Sequence, residues 1–190
     1  ANRFAHFQCN SPSVNEWTAW LFGSAEAPAS GNAASEEERV RSSWAGPWAM
    51  SRGMVSGFLQ RRPEFMHKRP AVGDPAASRA WPSPRSWAYA TRALAAAQVH
   101  HLSASDEEDY VRACIGDGAA NEFVAWKLAA DLPDPADVLD EKAVFIHDPM
   151  RLDRSMAILS SCAALVVDPT SPRREPRATV LWQILAHVAN

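Results

Sequence analysis

The chain has 190 residues, of which 47% are hydrophobic and 22% are charged. These proportions are typical of a globular protein, and they exclude a wholly disordered or collagen-like chain. No apolar run approaches the roughly 18 residues that a transmembrane helix needs, and no signal peptide is recognisable. Because the first residue is Ala1 and not Met, we expect this sequence to be part of a longer protein.

Charge is distributed unevenly along the chain, although the net charge is only −3. Residues 51–100 carry eight Lys/Arg and two Asp/Glu, whereas residues 101–150 carry three and twelve. A basic stretch followed by an acidic one indicates an anion-facing part and a separate solvated or partner-facing part. Two ordinary surfaces of opposite sign are the alternative interpretation.

The three cysteines, Cys9, Cys114 and Cys162, lie far apart and form no CxxC pair. An odd number without a recognisable spacing argues against a disulfide framework, so we expect a reducing, cytoplasmic compartment. Each cysteine is then simply a small buried hydrophobe.

Alanine occupies 35 of the 190 positions and runs of β-branched residues are few, which predicts a mainly α-helical protein. The exception is residues 3–8, whose alternating pattern predicts a short strand. A lone strand is unstable, so we expect the rest of its sheet to lie upstream of this sequence.

Three capping boxes, each a serine followed three residues later by glutamate, predict helix starts. They are formed by Ser13 with Glu16, Ser35 with Glu38, and Ser105 with Glu108. The Gly-Pro pair at residues 46–47 is expected to break or kink the second of these helices.

The proline-rich stretch over residues 63–84 predicts a loop, which ends in a strong helix start. Ser83 is a good N-cap, and Pro84 is preorganised for the first helical position. The helix is expected to run to about residue 100. Its apolar stripe consists of Trp87, Ala90, Leu94 and Ala97.

Further helices are predicted over residues 119–131, over residues 152–166 and over residues 180–188. The second of these has apolar residues at spacings of four and three, which predicts an amphipathic helix. That stripe is Leu152, Met156, Leu159, Ala163 and Val166.

Most motifs of enzyme chemistry are missing. There is no GxxxxGK[ST] phosphate loop, no HExxH and no GxSxG. Residues 138–141, Val-Leu-Asp-Glu, resemble the end of a Walker B motif, but too few apolar residues precede the acids to predict a buried catalytic strand. The six histidines are scattered and predict no metal site. The basic cluster at residues 61–69 indicates either a nucleic-acid contact or a solvated helix end.

Arg85 occupies an unusual place, in the first turn of a predicted helix, where a cation opposes the helix dipole. It lies about 200° from the apolar stripe and so faces away from the core. Free backbone N–H groups and a guanidinium at that point would suit a phosphate. The alternative is a surface arginine flanked by packing tryptophans. Arg3, by its surroundings alone, is an ordinary terminal arginine.

Ala-Asn-Arg-Phe at residues 1–4, followed by a short strand, resembles the arginine-finger segment of MoxR-type AAA+ ATPases. Ser-Pro-Arg at residues 83–85 resembles their sensor 2 motif, and Trp-Pro-Ser-Pro-Arg-Ser-Trp around it is similar to phage and bacterial members. The helical stretch at residues 118–123, followed by Leu-Pro-Asp-Pro, is also similar. The resemblance covers roughly residues 1–135, and residues 136–190 match nothing that we can name.

The resemblance implies three parts: the last strand of an α/β AAA+ nucleotide-binding core over residues 1–10, a helical lid over residues 11–101, and a helical extension over residues 105–190. It implies that Arg3 is a catalytic arginine finger and that Arg85 binds ATP from the lid. ATP and Mg²⁺ would be bound mainly by an upstream core, so the isolated 190 residues are expected to be inactive. The implied partners are other subunits of an ATPase ring and a protein substrate.

A second function stays open, that of a non-enzymatic helical adaptor for protein interaction. The absence of a phosphate loop and the eight tryptophans favour it. The net charge of −3 argues against nucleic-acid binding, and no membrane association is expected.

Overall fold

The computed structural model describes residues 4–7, 11–21, 33–167 and 173–188. Within these ranges it contains α-helices and short 3-10 helices and no β-strand, which confirms the mainly α class. The α-helices are α1 (Val14–Leu21), α2 (Ala33–Ser43), α3 (Ala45–Arg61), α4 (Pro84–Val99), α5 (Ala104–Ile115), α6 (Asp117–Ala130), α7 (Pro135–Leu139), α8 (Leu152–Val167) and α9 (Arg174–Val188). Two 3-10 helices, Pro63–Phe65 and Pro75–Ser78, lie in the proline-rich loop.

The strand predicted at residues 3–8 is not formed by its described part, residues 4–7. The backbone N–H of His6 instead donates to the carbonyl oxygen of Ala113 at 2.8 Å. Ala113 lies in the last turn of α5, where carbonyl groups lack partners within the helix. The ring of Phe7 packs edge-on against Tyr110, 5.4 Å between centroids. This segment therefore lies against a helix and not against a sheet.

The described residues form two hydrophobic cores, and the first is built by α3, α4, α5 and α6. Phe58 of α3 lies at its centre, fully buried, with the rings of Trp87 and Phe123 at 5.6 and 5.4 Å. This core includes residues from both sides of residues 101–105, where the sequence places the boundary between lid and extension. Helices α4 and α5 therefore belong to one packed unit.

The second core joins Ala49 of α3 to buried residues of α7, α8 and α9. It is attached to the first through the contact of α3 with α8. Gly53 and Gly57 of α3 face Ala157 and Ser161 of α8. A Cβ atom at Gly53 would lie 2.3 Å from the carbonyl oxygen of Ala157, so the two helix backbones meet directly at this point.

The helix predicted over residues 152–166 is confirmed, but the face predicted to be buried is wrong. Leu152 and Met156 are exposed, at 61% and 44%. The buried face of α8 consists of Asp153, Ser155, Ala157, Ile158, Ser161, Cys162 and Leu165. The predicted stripe consists mostly of large apolar side chains, whereas the glycine face of α3 packs against the small side chains of Ala157 and Ser161.

A buried carboxylate links α6 to the first turn of α8. Trp126 donates its indole N–H to Asp153 at 2.7 Å, and the guanidinium of Arg151 contacts the same carboxylate at 3.0 and 3.1 Å. Burial by itself would raise the pKa of Asp153. The hydrogen bonds from Arg151 and Trp126 outweigh that effect and lower the pKa to about 2.

One of the three predicted capping boxes is confirmed. The backbone N–H of Glu16 donates to the hydroxyl of Ser13 at 3.2 Å, and Ser13 donates its N–H to Glu16 at 2.7 Å. Ser35 lies inside α2, and α5 is capped by Ser103 instead of Ser105, so these two predictions are wrong. At α5 two registers satisfy the pattern, because Ser103 and Ser105 each stand three residues before an acid.

The break expected at residues 46–47 lies two residues earlier. Trp44 separates α2 from α3, and Pro47 falls within the first turn of α3. A proline is tolerated there because the first-turn N–H groups have no partner within the helix.

Candidate functional site

Arg85 lies where the sequence predicts it, as the second residue of α4 after the N-cap Ser83 and Pro84. Its side chain is exposed and makes no hydrogen bond or ion pair with any described residue. The predicted apolar stripe of α4 is buried, so Arg85 faces away from the core. Arg3, the other predicted site residue, lies outside the described residues.

The first turn of α4 is held firmly by Trp87. Its side chain is 2% exposed, and its indole N–H donates to the carbonyl oxygen of Phe65 at 2.8 Å. The loop before the helix is also attached, because the N–H of Lys68 donates to the carbonyl oxygen of Pro82 at 3.0 Å. Arg85 therefore projects from a fixed backbone.

The cap of α4 leaves fewer free backbone groups than the sequence predicts. The N–H of Ser86 donates to the hydroxyl of Ser83 at 3.1 Å, and the N–H of Ser83 donates to the hydroxyl of Ser86 at 2.8 Å. Trp87 donates its N–H to the carbonyl oxygen of Ser83, and Pro84 has no N–H. In this first turn the donors left for an anion are the backbone N–H and the guanidinium of Arg85. They do not form a wider set of backbone N–H groups around a phosphate.

The exposed face of α4 continues beyond Arg85 with two residues that the sequence analysis did not single out. Tyr89 and Arg92 follow at i+4 and i+7, which places them on the same helix face, and both are exposed. Tyr89 lines a cleft together with Phe4 and Phe7. The i, i+4, i+7 spacing was the available signal for this face.

The basic stretch has little internal compensation. Among the described residues, seven exposed cations of this stretch form no ion pair with an acid: Arg52, Arg61, Lys68, Arg69, Arg79, Arg85 and Arg92. The acidic stretch is different, since several of its carboxylates bind cations of the chain itself: Arg112 contacts Glu108, and Lys127 contacts Glu107. The positive charge of residues 51–100 is therefore the less neutralised of the two.

Part of the basic cluster at residues 61–69 is occupied within the chain. Arg62 contacts Glu64 at 2.6 Å and Glu122 at 3.1 Å, and its guanidinium lies over the ring of Phe65. The pKa of Glu64 is lowered, chiefly by its hydrogen bond with Arg62. Arg62 is thus a structural residue, which leaves fewer free cations for a nucleic acid.

The Walker B-like residues 138–141 occupy the end of α7 and the turn that follows, and the described residues before them form no strand. Asp140 accepts two hydrogen bonds from Arg177, at 2.8 and 3.0 Å, and Arg173 lies 3.1 Å away. The pKa of Asp140 is lowered, first by its hydrogen bond with Arg177. This carboxylate holds α9 against α7 and is not placed to hold Mg²⁺.

The cysteines and histidines offer no reactive centre in the described part of the chain. Burial raises the pKa of the Cys114 thiol to about 11 and, as the largest cause, that of Cys162 to about 12, so neither ionises near neutral pH. His147 contacts the hydroxyl of Ser155 at 2.9 Å. The described residues contain no group of three or more His, Cys, Asp or Glu side chains that could hold a metal ion.

Comparisons with protein-family models, with curated proteins and with solved structures find no match to this chain.

Proposed function

We propose that this chain is the C-terminal, lid-bearing part of a MoxR-like AAA+ ATPase, which couples ATP binding and hydrolysis to the remodelling of a protein partner. One observation carries the proposal: Arg85 is exposed on the rigid first turn of α4 and has no acidic partner among the described residues. A cation at that end of a helix is unfavourable unless an anion faces it. A nucleotide phosphate supplies that anion.

The surroundings of Arg85 support a polyphosphate ligand. Most exposed cations of residues 51–100 form no ion pair with a described residue, and Arg92 lies on the same face of α4 as Arg85. Because Trp87 holds the first turn of α4 in place, phosphate binding there costs less conformational entropy. A guanidinium is also the side chain best suited to bidentate contacts with phosphate.

The proposed arginine finger is Arg3, which directly precedes Phe4 in the chain. Phe4 lines a cleft with Tyr89, one turn beyond Arg85 on α4. Arg3 would stabilise the charge that develops on the γ-phosphate held by a neighbouring subunit of the ring.

ATP and Mg²⁺ would be held mainly by a nucleotide-binding core upstream of Ala1. The chain has no phosphate loop, and its described residues contain no carboxylate cluster suited to a metal. The isolated 190 residues are therefore expected to be inactive. Its partners would be other ring subunits and a protein substrate, in a reducing cytoplasm compatible with the free thiols of Cys114 and Cys162.

The test uses the complete gene product, with ATP hydrolysis and ATP binding measured separately. Arg3→Ala is expected to lower the hydrolysis rate by about 10³-fold or more with ATP binding retained, because an arginine finger acts on the transition state. Arg85→Ala is expected to lower hydrolysis or to abolish the response of the lid to nucleotide, and Arg85→Lys is expected to restore only part of it.

Arg41→Ala is the matched control, since Arg41 is an exposed helical arginine whose only described ion pair is with Glu37 on the same helix. Its effect on hydrolysis is expected to be negligible. Normal turnover of the Arg3 variant would remove the proposed finger. An Arg85 variant indistinguishable from Arg41→Ala would remove the proposed sensor 2. A complete gene product without ATPase activity would refute the function as a whole.

A non-enzymatic helical adaptor is the second candidate, and exposed apolar side chains favour it. Val144, Ile146 and Met150 are each about four-fifths exposed, and Trp182 of α9 is 73% exposed. Such side chains are typical of protein-binding surfaces when they form a patch. This function predicts a native product that captures a protein partner and binds no ATP, which the same nucleotide-binding assay would reveal.

Two partner classes are not part of the proposal. The described helices include none with the length and apolar character required to cross a bilayer. Binding to nucleic acid is disfavoured by the net charge of −3 and by the internal ion pairs of Arg62.

A further inference from the structure

The segment between α7 and α8 has the burial pattern of a strand without a neighbour. Ala143, Phe145 and His147 are half-buried, and the first two pack against the second core. Val144 and Ile146, which alternate with them, are 83% and 79% exposed. An alternation of period two is that of an extended strand with one face on a core and the other open.

The backbone of this segment is also open. From Val144 to His147, no main-chain N–H or C=O group forms a hydrogen bond with any described residue. Backbone groups of this kind, beside exposed β-branched side chains, form a template for pairing with another strand. The N–H groups of Lys142 and Ala143 donate to the carbonyl oxygen of Asp137 at 2.8 and 3.1 Å, so residues 144–147 are the part whose backbone can pair.

The sequence Lys-Ala-Val-Phe-Ile-His-Asp over residues 142–148 is complementary to itself in the antiparallel sense. If two copies are paired about Phe145, Val144 of each copy lies opposite Ile146 of the other. Lys142 of each copy then lies opposite Asp148 of the other, so the two ends carry opposite charges. Directly opposite pairs of these kinds, β-branched with β-branched and cation with anion, stabilise antiparallel strands.

We propose that residues 144–146 form an antiparallel β-pairing with the same residues of a second copy of this chain, with Lys142 and Asp148 flanking the pairing. The exposed face of Val144 and Ile146 becomes the face of a two-stranded ribbon, and Lys142 meets Asp148 at both ends. The pairing is isologous, because the same residues contribute on both sides of a two-fold axis.

The flanking charges are free enough to make these contacts. Lys142 is 65% exposed, and among the described residues its ammonium contacts Asp137 at 3.4 Å and Asp140 at 3.8 Å. Asp148 accepts the N–H of Met150 through one oxygen at 2.8 Å, and its other oxygen forms no hydrogen bond with a described residue. The charge of Asp148 also interacts with Arg151 of its own chain.

This contact is independent of the proposed ATPase. Successive subunits of a ring meet head to tail, through two different surfaces, whereas an isologous contact closes after two copies. The pairing would join two chains or two rings back to back. It can therefore be tested on the 190-residue chain without nucleotide.

The first experiment measures the mass of the chain by sedimentation equilibrium at low salt, over about 5 to 500 µM. A contact of this small size is expected to have a dissociation constant in that range. Val144→Glu is expected to raise the dissociation constant at least about tenfold, because the carboxylate would lie opposite Ile146 without a partner. Val72→Glu is the matched control, since Val72 is 98% exposed elsewhere, and its effect is expected to be negligible.

The second experiment tests the register with two charge variants. Lys142→Glu places two acids opposite each other at both ends of the ribbon, and Asp148→Lys places two lysines there. Each variant alone is expected to associate about fivefold more weakly than the original chain. A 1:1 mixture of the two restores opposite charges at both ends, so the mixed dimer is expected to recover the original affinity. Misfolding of a variant could not produce this recovery.

Three results would overturn the proposal. The first is a chain that stays monomeric over the whole concentration range, which would leave this surface to a different partner or to none. The second is dimerisation that Val144→Glu leaves unchanged. The third is a mixture of the two charge variants that associates no better than either variant alone.

Discussion

Replacement of Gly53 by alanine tests whether α3 and α8 are in direct backbone contact. The added Cβ atom would lie 1.9 Å from the hydroxyl oxygen of Ser161 and 2.3 Å from the carbonyl oxygen of Ala157, where ordinary contacts are 3.4 Å or more. The serine hydroxyl can rotate, but the carbonyl belongs to the backbone of α8. The two helices must therefore separate locally by about 1 Å, and the packing around them loosens.

Two opposing effects set the size of the change. Overpacking of a close helix contact costs about 3 kcal/mol. Alanine is a better helix former than glycine by about 1 kcal/mol, which offsets part of that cost. The expected net loss is about 2 kcal/mol in the free energy of unfolding, or about 4 to 8 °C in the melting temperature for a chain of this size.

The assay is urea unfolding, monitored by circular dichroism and tryptophan fluorescence. Gly46→Ala is the control in the same helix, since a Cβ atom there meets nothing within 4 Å. It is expected to be neutral or to stabilise by up to about 1 kcal/mol. Adding Ser161→Ala to Gly53→Ala should recover little stability, because the contact with the carbonyl of Ala157 remains. A Gly53→Ala protein as stable as Gly46→Ala would refute the direct backbone contact.

Three further predictions concern the caps and buried ion pairs. The pKa of Asp153 is lower in the folded protein than its unfolded value near 4, and this difference stabilises the fold fully above that unfolded pKa. The free energy of unfolding should fall by about 2 kcal/mol as the pH drops toward 2. Urea titrations at several pH values should show that Asp153→Asn lacks this acid-dependent loss. Arg177→Met leaves the Asp140 carboxylate with weaker partners and should cost about 3 kcal/mol, whereas replacing Asp140 by leucine as well should recover part of it in thermal melts. Ser83→Ala removes the N-cap of α4 and should cost about 1 kcal/mol, measured by chemical denaturation, while an unchanged midpoint would exclude the role of the cap.

The candidate site could be predicted from the sequence to the extent that it depends on neighbouring residues. The start of α4 follows from Ser83 and Pro84, and the exposure of Arg85 follows from its angle to the buried stripe. The number of free N–H groups could not be predicted, because Ser86 completes the cap in place of the usual glutamate or glutamine. Arg3 lies outside the described residues, so its role stays a prediction.

Three properties follow from the amino-acid sequence alone: the mainly helical class, the start of α4 and the uneven charge. These properties depend on composition and on residues within one or two turns of each other. The buried face of α8 depends instead on helix packing, because Gly53 and Gly57 admit small side chains from a helix that is distant in the sequence. Helix packing also brings the carboxylate of Asp140 against the guanidinium of Arg177, 37 residues away in the sequence. Such pairings arise from the packing of whole helices, for which a local pattern of residues carries no signal.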